Sequence, residues 1–225
     1  MNLIQEVLRA DSLVLKIPDK ENIVLSFTIF QGERVVLMGP SGCGKTTMLK
    51  ALAGLFPLSG KALVINKKNV IDSAPAQRNL SFVFQGGALF PHLSVFENLD
   101  IVLKYSKKYS KLNKQERIAK IKQCLLEAGF DPITFSKKLA SGLSGGERQR
   151  VAIIRALIVD APLVLMDEPF NALDEKTKNE IMQWTKNRLE ATNTTLLFVT
   201  HNSSEAEMMA TKKITWNQGD LKIEF

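Results

Sequence analysis

One stretch restricts the fold more than any other: "RVVLMGPSGCGKTTMLKAL", residues 34–52. A β-prone apolar run ends at Met38, a glycine-rich loop follows, and a helix-forming run begins at Lys45. A chain that leaves a strand through such a loop and enters a helix at once points several backbone N–H groups at one spot. Glycine lets the backbone curl tightly enough, and the helix start adds its positive pole, so the loop is built to hold an anion.

The loop matches G-x-x-x-x-G-K-S/T at Gly39, Gly44, Lys45 and Thr46, with Pro40, Ser41, Gly42 and Cys43 inside it and Thr47 after it. Composition alone yields this pattern in on the order of one per cent of chains this long, before the flanking strand and helix are required. Phosphate is the anion that suits it. Lys45 supplies a full positive charge to terminal phosphates, and Thr46 offers a hydroxyl to Mg²⁺.

Other residues extend that chemistry. "LVLMDEP" ends an apolar strand in Asp167 and Glu168. Asp167 suits a water-mediated Mg²⁺ contact, and Glu168 suits a general base that polarises water for in-line attack on a terminal phosphate. Alone, such an acid pair reads as solvated surface; beside a phosphate loop that reading recedes. His201 follows the strand "TTLLFVT", at a carboxyl end where α/β sheets bind ligands. There it is suited to bond a terminal phosphate or orient the water. Gln85, ending "LSFVFQ", reads equally as a contact to Mg²⁺ or water and as a plain polar strand end. His92, in "FPHLSV", reads as a surface or packing residue. A second anion grip stands at "LSGGERQR", where Ser144, Gly145 and Gly146 precede a helix-prone run and leave its N–H groups bare.

The remaining pattern organises these pieces. "SLVLKI", "IVLSFTIF", "KALVI", "LSFVFQ", "PLVLMD" and "TTLLFVT" read as strands, with two short strands at the end. Helical runs close at Pro57 after the phosphate loop and recur at "ERQRVAIIRALIV", "EKTKNEIMQWTKNRLEA" and "SSEAEMMA". Alternation of this kind implies an α/β fold: a mostly parallel sheet, with antiparallel strands at the N-terminus. Between residues 86 and 149 strand signals vanish, and "VFENLDIVLKY" and "KQERIAKIKQCLLEAGF" read as helices, the latter with Ile118, Ile121 and Leu125 on one face. The expected organisation is one domain over 1–225. Residues 1–85 and 150–225 form the nucleotide-binding core, and 86–149 form an inserted α-helical subdomain that carries the "LSGG".

The net charge of +7 admits nucleic acid, an anionic membrane surface or phosphorylated ligands without choosing among them. The lysine-rich run "KYSKKYSKLNKQERIAKIK" reads first as solvated surface and second as attraction to an anionic leaflet. Two cysteines, one of them in the phosphate loop, fit a reducing compartment. No apolar stretch approaches the ~20 residues of a membrane-spanning helix, and the first residues lack a signal peptide's apolar run. The expected location is cytosolic, with membrane contact through a partner.

Taken in order, "GPSGCGKT", "LSGGERQR", "LVLMDE" and His201 resemble the ATP-binding subunit of an ATP-binding cassette (ABC) transporter, over nearly the whole chain. "NALD" is similar to the family's loop after the second carboxylate, and "FQGGALFPHLSVFENL" to the glutamine-loop segment of small-solute importers. The resemblance implies ATP and Mg²⁺ as cofactors and a P-loop ATPase core. It also implies a second ATPase subunit, by expectation an identical copy, closing head to tail. Ser144, Gly145 and Gly146 would then reach the terminal phosphate held by the other copy's loop. It implies as further partners a transmembrane permease and, through it, a solute-binding protein, with the chain peripheral on the cytoplasmic side of the cell membrane and no nucleic acid bound. Export or extraction of a lipid or lipoprotein is the alternative within the fold, and a soluble cassette in DNA repair or translation the more distant one. Three departures stand out. No aromatic precedes the core to stack on adenine, leaving Leu15, Ile17 or Pro18; Glu147 stands where Gln is common; and no appended regulatory domain is expected after the cassette.

Overall fold

The computed structural model describes residues 5–17, 22–217 and 220–224. Strand β1 (Glu6–Leu15) pairs antiparallel with β2 (Ile23–Phe30) and with β4 (Ala62–Ile65), and β4 pairs with the two-residue β5 (Lys68–Asn69). β1 begins six residues before the run "SLVLKI" that marked it in the sequence. The reason is a bulge: Ser12 lies at φ 48, and the register slips between Ala10 and Leu13. Alternation breaks there, so only the second half reads as a strand. β5 escaped notice because it is short and follows a two-residue turn, Asn66–Lys67, with both residues at positive φ (49 and 67). Lysine is an unusual choice for that turn.

The second sheet holds β3 (Arg34–Met38), β6 (Ser81–Val83), β7 (Leu163–Asp167), β8 (Thr195–Val199), β9 (Lys212–Asn217) and β10 (Asp220–Glu224), in the order β10-β9-β3-β8-β7-β6. β3 runs parallel to β8 and β9, β7 runs parallel to β8, and β10 returns antiparallel to β9. The sheet is therefore mostly parallel, as expected. Strands β3 and β7 are buried on both faces: Val35 and Leu37 of β3 and Leu163 and Leu165 of β7 enter a core shared with the first sheet, while Val36, Val164 and Met166 are buried outside that cluster. Helix α1 (Lys45–Leu52) contributes Met48, Leu49 and Leu52 to the same core.

α1 ends before the expected Pro57. Gly54, at φ 80, turns the chain, and Leu55 N–H returns to Lys50 C=O at 2.8 Å. Arg78 finishes the cap. It is 4% exposed, and its guanidinium donates to the carbonyls of Ala51 and Leu52 (2.9 Å each), Ser73 (3.0 Å) and Ile71 (3.1 Å).

By internal packing the chain forms two compact units. The first comprises 1–82, 161–168 and 189–225, and the second comprises 83–160 and 169–188. The second is helical: it contains α2 (Val95–Tyr105), α3 (Lys114–Glu127), α4 (Gly145–Leu157) and most of α5 (Glu175–Ala191). α6 (Ser203–Met209) belongs to the first unit. Ser94 and Asn113 cap α2 and α3 through reciprocal bonds with Glu97 and Glu116. Ile121 and Leu125 are buried as the periodicity required, whereas Ile118 is only half-buried.

Candidate functional site

The phosphate loop lies between β3 and α1. Gly39 and Gly44 are there because nothing else fits. Gly39 has φ 158, and a Cβ on it would stand 2.4 Å from the Trp216 carbonyl oxygen; Gly44 has φ 112, and its Cβ would meet Ile17 Cδ1 at 2.5 Å. Lys45, 4% exposed, folds its ammonium over the loop and donates to the carbonyls of Gly39 and Pro40 at 2.8 Å each. A buried cation on a compact loop is held where an anion cradled by that loop would meet it.

Two strand ends, those of β7 and β8, bring the remaining groups to this loop. Thr46 Oγ1 donates to Asp167 Oδ1 at 2.9 Å, joining the start of α1 to the end of β7. Burial raises the Asp167 carboxyl above its ordinary value, and the neighbouring Glu168 charge adds to this; the Thr46 hydroxyl and the charges of Lys50 and Lys45 pull the other way. A carboxylate beside a hydroxyl is a hard-oxygen donor pair that fits Mg²⁺. Glu168 sits at φ 46, in the left-handed region that few non-glycine residues occupy, and its N–H is tied to Val199 C=O at 3.0 Å. That turn swings its carboxylate to His201, with Oε1 2.8 Å from Nε2; the Glu168 side chain is 15% exposed and that of His201 44%. Ser41, Gly42, Lys45, Thr46, Thr47, Glu168 and His201 together line a cavity of about 310 Å³, with Ile17 on its wall.

Of the three residues offered to cover a base, Ile17 lines this cavity. Leu15 is not available: it is fully buried in the core. Pro18 lies outside the described residues. Cys43 is a free thiol in the loop, 3.8 Å from the Lys45 ammonium.

The second grip is a feature of the helical unit. Ser144 caps α4, and its Oγ accepts from Glu147 N–H at 3.1 Å while its own N–H donates to Glu147 Oε2 at 2.8 Å. Because that oxygen is an acceptor inside the cap, the hydroxyl proton is left to donate outward. Ser144 and Gly145 are exposed. Glu147 brings a negative charge to an anion-binding turn, yet that charge is engaged by Ser144 N–H and by Lys138. The Ser144 N–H chiefly, and Lys138 at 3.1 Å, hold its carboxyl below the ordinary value.

Gln85 does not end a strand: β6 stops at Val83, and Gln85 lies exposed two residues later. The segment after it is latched to α4. A Cβ on Gly87 would lie 3.1 Å from the Arg148 carbonyl oxygen, and Arg155 donates to Ala88 C=O at 2.9 Å. Neither Arg155 nor Arg78 was marked by the sequence, since a basic residue carries no sign of burial. His92 is exposed, edge-on to Phe90, in keeping with a surface role.

Comparison with known proteins follows the same lines. The ABC transporter family matches residues 24–171. The sulfate/thiosulfate import ATP-binding protein CysA of Ralstonia nicotianae is 37% identical over 198 residues, covering 88% of this chain and 53% of that protein. The CysA of Pseudomonas syringae pv. tomato is 38% identical, with 88% and 60% covered. This chain therefore spans between half and two thirds of the length of these relatives. Among solved structures, the dimeric post-hydrolysis state of the ATP-binding cassette MJ0796 bound to ADP and Pi superposes with a TM-score of 0.83. It is 30% identical, with 97% of this chain and 98% of that one covered.

Proposed function

The chain belongs to the ABC transporter family, and from that premise we propose that it is the ATP-hydrolysing subunit of an importer. Two copies close on ATP, and the cycle of closing and opening drives a separate membrane permease. A solute-binding protein would deliver cargo to the permease. The cassette would work peripherally at the cytoplasmic face; no helix among the described residues is long and apolar enough to cross a membrane. The relatives are named for sulfate and thiosulfate import, which makes these the first solutes to test.

The observation that carries this reading is the Glu168–His201 pair at 2.8 Å on the wall of the phosphate-loop cavity. The loop and Lys45 hold the β- and γ-phosphates. Thr46 and Asp167 would hold Mg²⁺, which when bound neutralises phosphate charge. Glu168 takes the proton from the attacking water. His201, with Nε2 2.8 Å from Glu168 Oε1, fixes the direction of that carboxylate and lies on the cavity wall where it can orient the water or meet the γ-phosphate. Gln85 is proposed as a contact to the same water or metal. Ser144, Gly145 and Gly146 of the other copy complete the cage around the γ-phosphate, and the shared charge holds the dimer shut until hydrolysis.

Glu168→Gln tests the base. The amide keeps the shape but accepts no proton, so turnover is expected to fall on the order of 10²–10⁴-fold. ATP should stay bound and an ATP-dependent dimer should accumulate on gel filtration. Hydrolysis at the parent rate would remove Glu168 from the role.

A further inference from the structure

We infer that the tip of the α2–α3 hairpin is a docking element for an anionic lipid surface. The chain's basic character resides almost wholly there. Residues 104–122 carry eight Lys or Arg (104, 107, 108, 111, 114, 117, 120 and 122) against one acid, Glu116, a local net of +7. The formal net charge of the whole protein is also +7, so the rest of the chain is balanced.

Part of this charge is structural. Asp100 takes Arg117 at 2.6 Å and Lys104 at 3.0 Å. Asp160 takes Arg188 at 2.5 Å, Lys108 at 3.0 Å and Lys120 at 3.8 Å, and accepts from the Tyr109 hydroxyl. The remainder is not. Lys122, further along α3, is exposed and outside every ion pair found among the described residues, and so, at the turn itself, are Lys107, Lys111 and Lys114. They stand on a tip of fixed shape. Ser110 N–H returns to Ser106 C=O at 3.0 Å, Tyr109 N–H to Ser106 Oγ at 2.9 Å, and Arg117 donates to Leu112 C=O at 2.8 Å. Beside them Tyr105 is 83% exposed, the most exposed large apolar side chain among the described residues.

The occupant follows from charge complementarity and side-chain chemistry. All four free cations are lysines, hydrated point charges suited to a diffuse field of phosphates; a bidentate reader of one phosphate or base would favour arginine. An exposed tyrosine at the rim is the residue that sits at headgroup depth in a bilayer. A nucleic-acid face would need a stacking platform, and the other tyrosine of the tip is committed to Asp160, with Lys120 4.2 Å from its ring centre. The inference does not depend on the importer reading, because the tip and the lipid suffice for it.

The test uses vesicles without any permease. The full chain is sedimented with phosphatidylcholine vesicles, with and without phosphatidylglycerol, at about 0.1 M and about 1 M salt, where the screening length falls from ~10 to ~3 Å. Binding is expected only with phosphatidylglycerol and only at the lower salt. A near-surface lysine is worth about fivefold in partitioning, so the triple change Lys107→Gln, Lys111→Gln, Lys114→Gln should weaken it by at least tenfold. ATPase activity and melting temperature should be unchanged. Tyr105→Ser should weaken binding severalfold while leaving its salt dependence intact. Equal binding to neutral vesicles, an unaffected triple variant, or tighter binding to a duplex oligonucleotide at the same salt would each overturn the assignment.

Discussion

At the scale of single residues, the site is made by groups held where they would not choose to be. Glu168 carries its carboxylate on a left-handed backbone, and Lys45 is a buried cation on a loop of carbonyls. Both residues were legible in the sequence because their chemistry follows from residue type and spacing. What was not legible is which of three apolar residues lines the cavity. Leu15 proves to be core, and only the structure puts Ile17 at the cavity. An isoleucine covers a purine without the stacking of an aromatic ring, worth ~1–3 kcal/mol per base in nucleic-acid systems. It also has no polar atom with which to tell adenine from guanine. The kcat/KM for GTP is therefore expected within about threefold of that for ATP, measured in side-by-side phosphate-release assays. A strong ATP preference would mean that some other residue reads the base.

At the scale of elements, the periodic pieces announced themselves and the fastenings did not. α2 and α5 appear with the bounds their patterns implied, while β1 and α1 differ where a bulge and a glycine cap intervene. Capping by Arg78 is a long-range event: the residue lies 26 positions from the Leu52 carbonyl it satisfies, and local pattern is blind to that. Arg78→Leu keeps the site apolar but strips four charged donors from buried carbonyls. It is expected to cost about 2–4 kcal/mol, read as a fall in the urea midpoint at unchanged slope. Asp160 is the matching case in the helical unit. Burial raises its carboxyl and is the largest single influence. Bonds from Tyr109 and Lys108, with the charges of Arg188 and Lys120, outweigh it together, so the net displacement is downward. A lowered native pKa means that the stabilisation is complete above the unfolded value, ~3.9, and is lost as pH falls through the native one. Asp160→Asn should therefore be less stable than the parent at neutral pH, by on the order of 3 kcal/mol. The gap should close only below about pH 4, followed by urea unfolding across that range. A gap that closed near neutrality would assign the effect to another group.

At the scale of the whole molecule, two anion grips in one chain make sense if each closes on what the other copy holds. The phosphate loop has Lys45, Glu168 and His201 on one cavity, whereas the serine–glycine turn has only an exposed helix start and an outward hydroxyl. Each lacks what the other has. Sharing of this kind leaves a signature that single variants cannot give. Glu168→Gln disables the loop side of a site, and Ser144→Arg blocks the turn side; each pure variant should be inactive. If the two are mixed before nucleotide is added, half of the dimers carry one copy of each. In such a dimer both lesions fall on one site, and the other site receives an intact loop from one copy and an intact turn from its partner. Activity of about a quarter of the parent's is expected from random pairing in a two-fold dimer with independent sites. Were each chain to use its own turn on its own loop, every site in the mixture would keep a lesion, and the mixed sample would stay as silent as its parts.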